Sequence, residues 1–262
     1  MDFEIIDFHT HPFLTKEDFI CKHKVIIQLD ADDTLELFKK FGISKICGSV
    51  VYVGNDKYEN NLEKIRDNNR KALELRDYYK GFYIPGFHVH PHYVEESIEE
   101  IRRMNKEGVN LIGELVPYID GWDDYGSDEL SLILDEAGKY NMIVDFHTMP
   151  LGFEGIEKMV KNHPDVIFVA AHPGEYNTLM NHIEIGKKYE NYYIDLSGSG
   201  LNRFATLRRL IDSLGVDRLL FGTDFPACSP SMFIGGVLFD NLVSDSEKEK
   251  IFSLNAKKLL NL

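Results

Sequence analysis

Two histidines one position removed from each other, His9 and His11, sit in the stretch Ile5-Ile6-Asp7-Phe8-His9-Thr10-His11-Pro12. Extended backbone sends alternate side chains to the same side, so both imidazoles leave one face and can chelate a cation. Pro12 lacks a backbone donor and ends the strand, which puts the pair at its C-terminal mouth. Taken alone, a His-x-His pair fits packing or solvent contact equally well. Later residues in the chain favour the metal. His147 follows Val144-Asp145-Phe146, His172 follows Phe168-Val169-Ala170-Ala171, and Asp224 follows Leu219-Leu220-Phe221-Gly222-Thr223. Glu114, after Leu111-Ile112-Gly113, adds a carboxylate. Imidazole nitrogen and carboxylate oxygen are ligands of zinc and its neighbours, and a catalytic site converges three or four of them with one position left for water. Such an ion lowers the pKa of its water to about 7. In that chemistry Asp224 takes the proton during attack and returns it to the leaving group, while His172 orients the water or polarises the substrate oxygen.

Those residues need a scaffold that brings strand ends together. Eight short apolar runs recur, over residues 4–8, 45–51, 83–87, 109–115, 142–146, 166–171, 192–196 and 218–221. They begin roughly 24 to 40 residues apart, the size of a βα unit, with helical patterning between them. One such helix is expected to start near Leu62 and run to Tyr79, and Asp32 or Asp33 is expected to cap the first helix. Eight strands alternating with helices point to a closed (β/α)8 TIM barrel, with an open doubly wound sheet as the alternative. In the barrel the candidate ligands stand around one ring. No linker, repeat or low-complexity tract interrupts the series, so one domain is expected over residues 1–262. Two connections exceed ordinary loop length, residues 12–31, with Phe13, Phe19, Cys21 and His23, and residues 225–243, with Phe233, Gly235 and Gly236. Both are candidate lids or substrate walls.

Composition narrows the partners. With 44% hydrophobic and 12% aromatic residues, a chain of 262 can build a sizeable core. A formal charge of -14 disfavours nucleic acid and anionic membrane, leaving a small-molecule substrate. Cys21, Cys47 and Cys228 show no metal-binding or disulfide spacing and are expected as reduced thiols. The Met1-Asp2-Phe3-Glu4 start lacks a signal-peptide pattern and no run approaches a membrane span, so a soluble cytoplasmic protein is expected, compatible with a homo-oligomer.

The set as a whole resembles the amidohydrolase superfamily, in its branch of short metal-dependent barrels that includes decarboxylases. The likeness rests on the Asp7-Phe8-His9-Thr10-His11 start, the histidines ending strands five and six, the Gly222-Thr223-Asp224-Phe225-Pro226 run, and the closing Asn255-Ala256-Lys257-Lys258-Leu259-Leu260. It covers essentially the whole chain. It implies a barrel holding one or two divalent ions, zinc foremost, with His9, His11, His147 and Asp224 as ligands by position. His172 matches a residue that steers the water in single-ion members and is a ligand in two-ion members. Asp7 matches a residue that supports the strand. Where the short-barrel branch often has a basic residue near the end of strand four, this chain has Glu114, as in two-ion, nuclease-like barrels. It can bridge a second ion or form a salt bridge inside the mouth. With only Glu114 pulling the other way, one ion is expected. The polymerase-and-histidinol-phosphatase barrels also open on Asp-x-His-x-His, but they usually close on Asp-x-His, and Asp224 precedes Phe225-Pro226.

Further groups could meet substrate. In His88-Val89-His90-Pro91-His92 alternation places His88 and His90 together, before Pro91 interrupts the strand, and both are candidates to line the pocket. Ser197 and Ser199, with Gly198 and Gly200, offer hydroxyl or backbone contacts. Arg203 is the cation best placed for a substrate carboxylate, if it is not an ordinary helix-start arginine. The expected activity is hydrolysis of a small ester, lactone, amide or similar bond. The alternatives are a lyase, decarboxylating an aromatic or enolic acid, and a non-catalytic metal-binding barrel.

Overall fold

A computed structural model describes residues 3–18, 27–52, 59–148 and 152–262. Its apolar runs become eight parallel strands: β1 Ile5–Asp7, β2 Ile43–Ser49, β3 Tyr83–Phe87, β4 Leu111–Leu115, β5 Ile143–His147, β6 Ile167–Ala171, β7 Tyr192–Asp195 and β8 Leu219–Leu220. They pair in chain order from β1 to β8. Parallel strands covered on both faces need nearly continuous apolar sequence, which is what these runs supply. The ring is closed beyond the formal ends of β1 and β8. Phe8 N donates to Phe221 O at 2.8 Å, Asp224 N to His9 O at 2.9 Å, and His11 N to Phe225 O at 2.7 Å. The fold is the expected (β/α)8 barrel.

Two apolar clusters hold it. The larger lies between strands and helices and includes Phe38, Phe87, Ile101, Leu134, Phe146 and Phe168. The smaller gathers Ile6, Phe8, Cys47, Leu111, Ile143, Val169 and Leu220, drawn from β1, β2, β4, β5, β6 and β8, with Ala256 against it. This is the interior packing of a barrel, and it supports the polar residues farther along the same strands.

The helices are α1 Ala31–Lys40, α2 Asn61–Tyr79, α3 Val94–Lys106, α4 Pro117–Asp120, α5 Asp128–Gly138, α6 Phe153–Asn162, α7 Tyr176–Lys188, α8 Thr206–Leu214, α9 Pro230–Leu238, α10 Asp245–Glu249 and α11 Asn255–Leu260. The expected helix ending at Tyr79 is α2. The cap of α1 is neither Asp32 nor Asp33: Asp30 precedes the helix with extended backbone and accepts from Asp33 N at 3.0 Å. Asp32 and Asp33 occupy the first turn instead, where acidic side chains complement the helix dipole.

Parts of the two long connections pack into the fold. In residues 12–31, Phe13 is buried and faces Phe225 at 6.3 Å between ring centres, while Lys71 Nζ holds Asp18 Oδ1 at 2.5 Å. The central part, 19–26, with Phe19, Cys21 and His23, lies outside the described residues. In residues 225–243 the chain forms α9 with Phe233 in the core. Pro230 at its first turn is the sequence signal for that start. Among the described residues no helix is long and apolar enough to cross a membrane.

Candidate metal centre

Strand alternation delivers the site. From β1 and its extension come His9 and His11, from β4 Glu114, from β5 His147, and from the ends of β6 and β8 His172 and Asp224. Each of three imidazoles has Nδ1 occupied. His9 Nδ1 faces Asp195 Oδ2 at 3.1 Å, His11 Nδ1 faces the Ser49 carbonyl at 3.1 Å, and His172 Nδ1 faces Ser197 Oγ at 3.0 Å. A ring tied through Nδ1–H to an acceptor presents the Nε2 lone pair, the form a metal requires. His9 Nε2 is buried and has no hydrogen-bond partner. Around it stand Glu114 Oε2 at 3.7 Å and Asp224 Oδ1 at 4.0 Å. His11 Nε2 lies 3.3 Å from the same Glu114 oxygen and 3.6 Å from Asp224 Oδ1.

The other oxygen of Glu114 faces a different pair. Oε1 is 2.9 Å from His147 Nδ1 and 3.7 Å from His172 Nε2. His9, Glu114 and His172 form one trio whose ligand atoms lie within 4.8 Å of one another, and His9, His11 and Asp224 form another. An orphaned buried nitrogen among convergent carboxylates and oriented imidazoles fits a divalent ion.

Electrostatics agree. Burial pulls His9 toward neutrality, yet Asp195, Asp145 and Glu114 together hold it well above the usual histidine range. Burial likewise opposes ionisation of Glu114, but His9, His11 and His147 hold that carboxyl well below its ordinary range. Burial lowers His172. The carboxylates around His9 therefore favour positive charge beside that ring.

Local backbone sets the aim. His172 and Asp224 both adopt left-handed conformations, with φ of 69° and 62°, at the strand-to-loop corners. A non-glycine residue there carries strain that its surroundings must hold. Gly198 lets the His172 ring lie close, since a Cβ there would come 2.2 Å from Nδ1. Outward, the centre opens into a cleft of about 810 Å³ lined by His147, Thr148, His172, Tyr176, Asn177, Thr178, Ser199, Asp224 and Cys228, among others. Of the candidate ligands, Asp224 and His147 are the most accessible, their side chains 17% and 20% exposed against 1% for His9.

The amidohydrolase family profile matches residues 6–262. The chain belongs to the amidohydrolase family. No curated protein matches it in sequence. Among solved structures this amidohydrolase is similar to 2,6-dihydroxybenzoate decarboxylase from Rhizobium, at 15% identity and TM-score 0.75, with 98% of each chain covered. It is similar to 5-carboxyvanillate decarboxylase from Novosphingobium aromaticivorans, determined with manganese and 3-methoxy-4-hydroxy-5-nitrobenzoic acid, at 13% identity and TM-score 0.76, covering 100% of this chain and 98% of that one. A third is a probable 2-pyrone-4,6-dicarboxylic acid hydrolase from Acinetobacter baumannii with citric acid bound, at 14% identity and TM-score 0.72, covering 99% and 100%.

Not every candidate residue of the amidohydrolase joins the centre. His88 Nε2 faces the Val50 carbonyl and His90 Nε2 the Asp120 carbonyl, each at 2.8 Å. Both border a separate cavity between α2 and α3. Arg203 precedes α8 and forks onto Glu175, with contacts of 2.9 and 2.8 Å, so its charge is already matched. Asp7 takes the supporting role: its oxygens accept from Thr223 N at 3.0 Å and Thr223 Oγ1 at 2.6 Å.

Two acids in contact with His9 were not singled out by the sequence reading. Asp195 binds His9 Nδ1, and Asp145 Oδ2 lies 3.2 Å from the same nitrogen. Their signal was the alternation itself, because Asp145 is two before His147 and Asp195 two before Ser197.

Proposed function

We propose that this amidohydrolase is a hydrolase that holds two divalent ions and acts on a small neutral substrate with an ester, lactone or amide bond. The division of the Glu114 carboxylate carries the reading: Oε2 lies with His9 and His11, and Oε1 with His147 and His172. One carboxylate with each oxygen among a separate pair of imidazoles is the donor set for two ions sharing a bridge. His9, His11 and Asp224 would complete one side and His147 and His172 the other, so two ions are proposed where sequence led to the expectation of one. Held by these residues, two such ions would supply charge stabilisation to the attacking and leaving oxygens of a displacement, as in phosphatases, nucleases and aminopeptidases.

The protein's own groups do the rest. Asp224 reaches the cleft, so its carboxylate can take a proton from the attacking water and hand it to the leaving group. Asp195, the Ser49 carbonyl and Ser197 keep the three rings in register. Thr148, Asn177, Thr178 and Ser199 offer neutral hydrogen-bonding groups, and among the described residues the cleft lining includes no Lys or Arg. That lining suits a carbonyl compound better than a di-acid.

Decarboxylation is the second reading, favoured by the two similar decarboxylase structures. The test is direct. Protein loaded with zinc or manganese is given 4-nitrophenyl esters, lactones, amides, phosphoesters and hydroxylated benzoic acids. Hydrolysis of an ester, lactone or amide is expected. Carbon dioxide from a benzoic acid, with no hydrolysis of any other compound, would replace this reading with the second.

A further inference from the structure

The polar cleft has an apolar annex. Glu175, Gly198 and Ser199 border both the cleft and a second cavity of about 440 Å³. Past them this cavity is lined by Leu201, Met232, Phe233 and Gly236, with Asn202 the one further polar member, so it lies between the segment after β7 and helix α9. Its volume falls within the range of ligand pockets, roughly 300–1,000 Å³. Glu175, the charged member of the lining, is already matched by Arg203. Phe233 is locked in the core, whereas Met232 stands 55% exposed. A flexible apolar side chain left in water at a cavity's edge is suited to folding over a ligand.

Gly236 is the informative residue. It lies inside α9, where glycine disfavours the helix relative to alanine. Its backbone does not need glycine, for its φ is outside the left-handed range, and a Cβ would meet Leu201 Cδ2 at an ordinary 3.5 Å. Glycine here leaves the floor of the annex open.

We propose that this annex is the subsite for an apolar group of the substrate, an acyl chain or ring about the size of a hexanoyl group, with Gly236 setting the length admitted. The proposal rests on the cleft being the reacting site. Ser199, shared by both cavities, would mark the boundary at which the apolar group meets the bond to be broken. Each methylene buried there is worth up to about fourfold in affinity.

Two probes separate the subsite from the activity. The first compares kcat/KM for 4-nitrophenyl hexanoate and 4-nitrophenyl acetate in the metal-loaded wild type, Gly236→Ala and Gly236→Leu. The wild type should prefer hexanoate at least tenfold. Gly236→Ala should trim that preference, and Gly236→Leu should abolish it mainly through KM, with metal content unchanged. The second is calorimetric binding of 1-hexanol, which requires no turnover and should weaken at least tenfold in Gly236→Leu. A preference for hexanoate untouched in both variants overturns the subsite while leaving hydrolysis standing. If neither ester is cleaved, these esters are not substrates and 1-hexanol decides: binding lost in Gly236→Leu supports the subsite, and no binding to the wild type overturns it. Pairing of two copies across Met232 in sedimentation, with no 1-hexanol binding, also overturns it.

Discussion

His9 is the residue on which the centre turns, because both of its nitrogens are assigned: Nδ1 to Asp195, Nε2 toward Glu114 and Asp224. Replacing His9 and His11 together with Ala should strip bound metal and abolish activity while the barrel still folds, since mouth residues contribute less to stability than the interior layers. Metal analysis that still finds a full complement would refute the assignment. Glu114→Gln tests the bridge. A shared carboxylate predicts a fall from about two equivalents of metal toward one, with the activity profile moved to higher pH because one cation now lowers the water's pKa. A mouth salt bridge predicts unchanged stoichiometry. Asp224→Asn should lower kcat by about 10²- to 10⁴-fold, the usual contribution of a positioned proton acceptor. Sequence alone exposed the six ligand-type residues because each ends a strand. It did not expose how Glu114 divides its oxygens, since that depends on where four side chains from three other strands meet. Nor did it separate His88 and His90 from the centre, because two buried backbone carbonyls, at Val50 and Asp120, claim their Nε2 atoms.

At the level of elements, the eight strands were legible because parallel strands covered on both faces leave a nearly continuous apolar record. Their ends were less so. β8 spans only Leu219–Leu220, although the apolar run continues, because beyond it the chain bonds to β1's extension and to the C-terminal segment, with Phe221 N donating to Ile251 O at 3.0 Å. Helix α9 was hidden in a supposed loop because Met232, Phe233, Ile234, Val237 and Leu238 are apolar nearly all round and two glycines interrupt them. The closure between β1 and β8 is where an element-scale test bites. Thr223 donates to Asp7 through both backbone and hydroxyl, and both residues are buried. Thr223→Val keeps the shape but leaves Asp7 Oδ2 short of its hydroxyl donor, which should cost roughly 1–3 kcal/mol in urea unfolding. It should also loosen the adjacent Asp224 and so lower kcat. Unaltered stability would mean that Asp7 does not tie the ends of the ring.

Across the whole molecule, acidity and burial combine to make stability depend on pH in opposing ways. Burial raises Asp7 to about 7, so the fold retains a proton there that the unfolded chain has released, and this contribution weakens as pH rises from about 4 to 7. His182 works the other way. It lies on α7 with no exposed surface, its Nδ1 2.7 Å from the Tyr192 hydroxyl and its ring 5.3 Å from that of Phe153. Burial lowers it from the ordinary 6.5 to about 3. Between those values the unfolded chain binds the proton and the fold does not. The contribution of neutral His182 is therefore complete above about pH 6.5 and is lost as pH falls toward 3, at up to about 1.4 kcal/mol per pH unit. Because Asp7 opposes this slope, the wild-type profile alone is ambiguous, and the variant difference isolates it. His182→Gln retains an amide for the Tyr192 hydroxyl and removes the titration. It should be less stable than wild type at pH 7.5, with the gap closing by about 1 kcal/mol per unit between pH 6 and 5 in urea unfolding at fixed metal content. A gap that stays constant from pH 7.5 to 5 would mean that His182 takes up its proton in the fold as readily as in the unfolded chain, and that burial on α7 does not hold it neutral.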